Sequence, residues 1–206
     1  HDAAAVLADP QLRDRGLFVA LDGGDAGTPI EHPRFFAKTA DGSIGIRCRA
    51  PRLAEHTIEV MDEVDQRLRS ARGAEDDGND GDDDPDDSAA LRLSVPTDSR
   101  SARAAGGILA GLKVLELGSD AAGPLATRYL AEHGATVIRV ESSLRDDPAA
   151  FERSPSFALL HPGKQSVAID LEEPAGVALV RRLAAWADVV AESFTPGVME
   201  RLGLDY

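Results

Sequence analysis

The sequence predicts an α/β fold, a Rossmann-like parallel sheet with flanking helices, plus a smaller α+β tail segment. Three observations carry that reading. Short runs of Val, Ile and Leu alternate with stretches of helical period across the second half of the chain. Glycine and proline mark the changes from one period to the other. The 206 residues, 43% hydrophobic and 28% charged, are ample for a buried core.

In chain order, Asp9 and Pro10 form an N-cap and first-turn pair, opening a short helix through Arg15 that Gly16 ends. Residues 17–21 read as a buried strand. Gly23, Gly24 and Gly27 make a turn, and 34–39 a further strand. After Ala50-Pro51 comes a helix whose Ile58, Met61, Val64 and Leu68 share a face. Residues 1–72 form this first segment. From 73 to 107 Gly, Asp, Ser, Pro and Ala dominate, and the acids from Glu75 to Asp87 have no base among them. Such a stretch buries too little surface to offset its ordering entropy, so an acidic disordered linker is expected. Its Asp spacing does not fit the calcium loop of an EF-hand.

Residues 108–206 hold the sheet. Leu112, Val114, Leu115 and Leu117 form a strand ending at Gly118. Pro124 sits in a first helical turn, where its missing N–H does no harm. Leu125, Ala126, Tyr129 and Leu130 recur at helical spacing until Gly134 stops the helix. Val137, Ile138 and Val140 make the next strand, closing with Glu141. This βαβ unit is the centre of the chain, and a strand end feeding a helix N-terminus is where phosphorylated ligands bind in such sheets. A polar loop (142–156) precedes a strand at 166–171. Pro174 then opens a helix facing inward with Val177, Val180, Leu183 and Ala184. Residues 188–191 form the last strand, and Thr195-Pro196 caps a final helix through Leu202.

Composition excludes several functions. The net charge of −14 is concentrated in the acid block, and no basic face exists to neutralise nucleic-acid phosphates. No apolar run has membrane-spanning length and no basic-apolar leader opens the chain, so a cytoplasmic protein is expected. The lone Cys48 rules out a disulfide framework and a cysteine-rich zinc site; it is expected to be a partly buried, reduced thiol. No metal is expected, and His56 and His133 read as surface or helix-end residues. Gly118 to Gly123 is G-x-x-x-x-G and lacks the G-x-G-x-x-G fingerprint, which argues against a nicotinamide cofactor.

Two sets of motifs carry a resemblance. VLELGSDAAGPLATRYLAEHGATVIRVE and HPGKQSVAIDLEEPAGVALVRRLAAWADVVAESFTPGVMERLGLDY resemble the N-terminal region of family III CoA-transferases (the CaiB/BaiF, formyl-CoA transferase-like family). Earlier in the chain, ADPQLRDRGLFVAL and RCRAPRLAEHTIEVMDEV resemble that family's C-terminal tail, with Ala54 where glycine is usual. The order is therefore tail first and head second. A junction in a tandem fusion of two repeats explains it most economically, with circular permutation as the rival account. Tail and head pack together in the family, so a joint domain is one expectation and tethered domains the other.

The resemblance implies coenzyme A as carrier and acyl-CoA and carboxylic acids as substrates. It also implies a homodimer, or an intramolecular pseudo-dimer in a full-length protein. The family's catalytic aspartate, a carboxylate nucleophile, lies downstream of the matched region, so no catalytic residue is assigned here. Asp120, Asp188 and Asp205 have no match to it. The CoA-binding positions carried over are Asp120, Ala121, Ala122, Gly123 and Pro124 in the small-residue turn; Lys164, toward the CoA phosphates; and Ser193, Phe194, Val198, Arg201 and Leu202, bordering the adenine and ribose phosphate. Three departures bear on affinity. Ala121 replaces a frequent glutamine, Ser193 replaces asparagine, and Ser142 and Ser143 stand where some members carry a basic residue. Plainer readings exist for each: a turn lysine for Lys164, an exposed helix residue for Arg201, core packing for Phe194. An acyl-CoA racemase of the same family and a non-catalytic scaffold repeat are the alternative functions.

Overall fold

In a computed structural model, residues 2–21, 29–34, 44–75, 106–118, 121–142 and 154–205 are described. The glycine turn at 23–27, most of the 34–39 strand, the acidic stretch from 76 to 105, and Asp120 and Ser143 lie outside these residues.

Asp2 opens α1 (Ala3–Ala8), its carboxylate accepting from Ala5 N at 2.8 Å. Asp9 then caps α2 (Pro10–Asp14), accepting from Gln11 N and Leu12 N at 2.9 and 3.0 Å. Strands β1 (Phe18–Leu21) and β2 (Ile30–Pro33) pair antiparallel, Phe18 opposite Pro33 and Leu21 opposite Ile30. Strand β2 was not among the expected strands; its position is set by pairing with β1. A forked Arg13–Glu31 pair, 3.0 and 2.9 Å, ties α2 to β2.

The long helix α3 (Thr57–Glu75) extends past the expected segment boundary at 72. Its inner face is Val60 and Val64, fully buried, with Met61 and Leu68 packed beside them. Ile58, expected on that face, is 80% exposed because it lies about 200° around the helix from buried Val60.

Four strands form a parallel sheet in the order β5-β4-β3-β6: β3 (Lys113–Leu117), β4 (Thr136–Glu141), β5 (Gln165–Ala168) and β6 (Val189–Glu192). Helix α4 (Ala122–Glu132) connects β3 to β4, and α5 (Pro155–Leu160) precedes β5. Helix α6 (Pro174–Trp186) carries the chain across to β6 on the far side of β3. The last helix, α7 (Val198–Arg201), begins at Val198 and not at Pro196, because Gly197 in a left-handed conformation (φ 82°) is its N-cap. Helix α5 falls at the end of the predicted loop, with Ser154 accepting from Phe157 N at 3.1 Å and Pro155 in its first turn.

The two sheet faces are packed differently. On one, Leu115, Leu117, Ile138, Val140 and Val167 meet α6 through Val180, Leu183 and Trp186, and α3 through Val60 and Val64. Arg182 pairs with Asp65, and Trp186 Nε1 donates to Glu63 at 3.3 Å, so α3 and α6 are tied as well as packed. Residues from 44 to 75 meet the later chain elsewhere too. Gly163 N donates to Cys48 O, His56 N to Ser166 O, and Ala168 N to Thr57 Oγ1. Cys48 is exposed, not partly buried as expected.

On the other face, Val114, Val137, Ala131 and Ala135 form a small apolar cluster under α4. The buried side of α4 is Pro124, Thr127, Ala131 and Glu132. Leu125 and Tyr129, which recur at helical spacing, are 38% and 40% exposed.

Candidate functional site

Alternation along the strands decides what lies beneath the start of α4. Odd and even positions of a strand point to opposite faces. In β3, Val114 and Glu116 share the α4 face; in β4, Val137, Arg139 and Glu141 do so. The amino-terminal half of that face is apolar and its carboxyl-terminal half is charged. Glu116 stands opposite Arg139 in the β3–β4 register, and Arg139 opposite Ser166 in β4–β5.

These groups form a buried network. Lys164 Nζ donates to Glu116 Oε2 at 2.7 Å and to the Pro124 carbonyl at 2.8 Å, its side chain having 0% exposure. The Thr127 hydroxyl donates to Glu116 Oε2 at 2.5 Å and lies 3.1 and 3.2 Å from the Gly123 and Pro124 carbonyls. Arg139 lies 3.1 Å from Glu141 Oε1 and 3.6 Å from Glu116 Oε1. Its Nη1 is 2.7 Å from His161 Nε2, and its guanidinium lies over the Phe157 ring. Ser166 Oγ donates to Glu141 Oε2 at 2.6 Å. Burial lowers the Lys164 pKa to about 8, against the pull of Glu116, so the ammonium stays charged at neutral pH.

Above the network lie the carboxyl ends of β3 and β6, Leu117 opposite Glu192. Strand order there changes direction, since β4 lies on one side of β3 and β6 on the other. Open α/β sheets bind their ligands at such a switch point. The turn after β3 and the turn after β6 approach closely. A Cβ on Gly123 would lie 2.7 Å from Ser193 Oγ and 2.9 Å from Ser193 Cβ; one on Gly118 (φ 121°) would lie 2.9 Å from the same oxygen. Only glycine permits that approach.

The residues predicted from sequence are distributed as follows. Ala121 and Ala122 are exposed at the start of α4, Gly123 is half-buried and Pro124 buried. Ser193 is brought against Gly118 and Gly123. Phe194 packs partly against the main core, and its N–H donates to Glu192 Oε2 at 2.9 Å. Val198 and Leu202 are half-buried in and after α7, and Arg201 is exposed. Lys164, by contrast, is inside the molecule with its ammonium on Glu116 and Pro124. Asp120 lies outside the described residues.

Sequence reasoning missed Glu116, Thr127, Arg139 and His161. A signal was present: Glu116, Arg139 and Glu141 interrupt otherwise apolar, doubly covered strands, and within β4 the two charges are spaced by two residues. Such acids and bases must find each other. His56, read as a surface or helix-end residue, stands at the start of α3 and is half-buried, with Nδ1 accepting from Ser166 N at 3.2 Å. Among the described residues no cluster of His, Cys, Asp and Glu could hold a metal ion, and no helix is long and apolar enough to cross a membrane.

Comparison with known proteins gives four findings. Residues 109–206 match the model of CoA-transferase family III. The alpha subunit of succinyl-CoA–L-malate CoA-transferase of Chloroflexus aurantiacus is 38% identical over 106 residues, covering 48% of this chain and 25% of that protein. Mouse (Mus musculus) succinyl-CoA:glutarate CoA-transferase is 36% identical over 105 residues, covering 48% of this chain and 24% of that one. A crystal structure of a CaiB/BaiF family protein from Brucella suis aligns with 39% identity and a TM-score of 0.44, over 48% of this chain and 29% of that one. The chain spans about a quarter of the length of the curated relatives it matches.

Proposed function

We propose that the chain, whose residues 109–206 match the model of CoA-transferase family III, binds coenzyme A where the β3–α4 and β6–α7 turns meet. It would do so as part of an enzyme moving CoA from an acyl-CoA to a carboxylic acid. The observation that supports the reading most is the meeting of Gly118 and Gly123 with Ser193 at the sheet's switch point. It brings together two separately matched motifs where a nucleotide is expected. Ala121 to Pro124 would face the ligand with backbone and small side chains. Phe194, Val198 and Leu202 would give the adenine an apolar border, and exposed Arg201 a planar, permanently charged fork for phosphate or stacking.

No nucleophile is assigned to the chain. Its place in the reading is to bind and orient the carrier, with the carboxylate chemistry supplied elsewhere in the full protein. The order of tail-like residues 1–72, acidic stretch 73–107 and head-like residues 108–206 is read as the junction of two tandem repeats. The contacts of 44–75 with the sheet support tail and head sharing a core.

Isothermal titration of the chain with CoA, beside the Arg201→Ala variant, tests the reading. Micromolar binding that weakens about tenfold in the variant is the expected result, the size of one lost charge-assisted contact. A folded chain that draws no heat from CoA would overturn it.

A further inference from the structure

We propose that Lys164 is a positioning residue for the ligand-facing turn, gripping the Pro124 carbonyl from inside the protein instead of meeting a phosphate. The inference rests on the CoA-binding reading and deepens it. An ammonium with no exposed surface, 2.7 Å from Glu116 and 2.8 Å from Pro124 O, has no path to a bound phosphate unless both contacts break.

The turn has need of such a hold. Ala121, the N-cap of α4, makes no side-chain capping bond, so the usual means of fixing a first turn is missing. Its fixation comes from two other directions. Ser193 presses on Gly123 from the β6 side. From below, Lys164 takes the Pro124 carbonyl, while Thr127 lies between Glu116 and the Gly123 and Pro124 carbonyls. Glu116 is 1% exposed and holds both Lys164 and Thr127, so the three side chains act as one support linking β3, α4 and the approach to β5. His161, 3.4 Å from the ammonium through Nδ1, and Arg139 complete its surroundings.

The test is made on the whole chain with Lys164→Met/Glu116→Gln, which removes both charges together and so avoids stranding a buried carboxylate. Thr127→Val, which keeps the side-chain shape, is its milder companion. Native-state amide exchange compares Leu125, bonded to Ala121 O at 2.9 Å in the first turn of α4, with Thr136, bonded to Leu112 O at 2.9 Å at the other end of the sheet. CoA titration follows on the same samples, with Arg201→Ala as control.

The expected result is exchange at Leu125 accelerated about tenfold relative to Thr136, and CoA affinity lowered by a similar factor, in the double variant. Thr127→Val should move both the same way by less, and Arg201→Ala should lower affinity without touching Leu125. A purely structural role would accelerate Leu125 and Thr136 together, and that result overturns the proposal. So does a loosened Leu125 with unchanged CoA affinity. If the unmodified chain itself fails to bind CoA, the CoA reading falls, and the ratio of the two exchange rates still decides whether Lys164 holds the turn.

Discussion

Val64→Ala is expected to destabilise the sheet although it lies in a helix more than forty residues before the first strand of that sheet. Val64 has 0% exposure and packs with Leu115, Ile138, Val167 and Trp186 in one core. The change deletes two buried methyl groups, each contributing about 0.8 kcal/mol in transfer, with a cavity term added where the surroundings do not collapse. About 2–3 kcal/mol is the result. Trp186, the only tryptophan, is 1% exposed, sits in this core and donates to Glu63 of α3, so its fluorescence reports the contact directly. Urea unfolding followed by Trp186 fluorescence and by far-ultraviolet circular dichroism is the assay. With a slope of about 2 kcal/mol per molar urea, the midpoint should fall by about 1 M in both signals together. A Trp186 midpoint unchanged within about 0.2 M would refute the shared core and make α3 a tethered appendage.

Two further outcomes follow from local geometry. Gly176→Ala would place a Cβ 1.7 Å from the Asp170 carbonyl oxygen, a backbone atom that cannot swing away, so a loss of about 3 kcal/mol or failure to fold is expected in thermal unfolding. Glu55, held by a forked hydrogen bond from Arg49 and by the Arg52 N–H, has its pKa lowered to about 2. Its stabilisation is therefore complete above the ordinary carboxylate value and is lost as pH falls from about 4.5 toward 2. Solvent screening at this partly exposed pair holds the contribution to about 1 kcal/mol. Wild type and Glu55→Gln should thus differ by that amount in urea unfolding at pH 6 and converge at pH 2; a constant gap would contradict the assignment.

The parts of the fold legible in the sequence were those whose signal is local. Strand β3, the Gly118 turn and the stop at Gly134 follow from apolar runs and special residues that act within a few positions. Helix α2 follows from Asp9-Pro10 in the same way. Helix α5 was hidden because six residues are too few for a period to register, although Ser154-Pro155 marked its start. Strand β2 was not read from the sequence because its position depends on pairing with β1, a partner relation that no window of sequence contains. Lys164 illustrates the same limit at the site. The string HPGKQ reads as a solvated turn, while the groups that make it an interior residue, Glu116 and Pro124, lie 48 and 40 residues away. Arg201, Ser193 and Gly123 were legible as motif positions, but the close approach of Ser193 to Gly123 was not.

The division of the α4-facing side of the sheet into an apolar half and a charged half also guards against misfolding. Alternation alone forbids β4 to slip by one residue against β3, because every side chain would change faces. It does not forbid a slip of two. In the observed pairing Glu116 faces Arg139; a slip of two in either direction would set Glu116 against Val137 or against Glu141. One mispairing strands a buried acid beside an apolar side chain, and the other opposes two acids. The charges that look costly in a buried strand thus remove the alternatives that hydrophobic patterning would leave open.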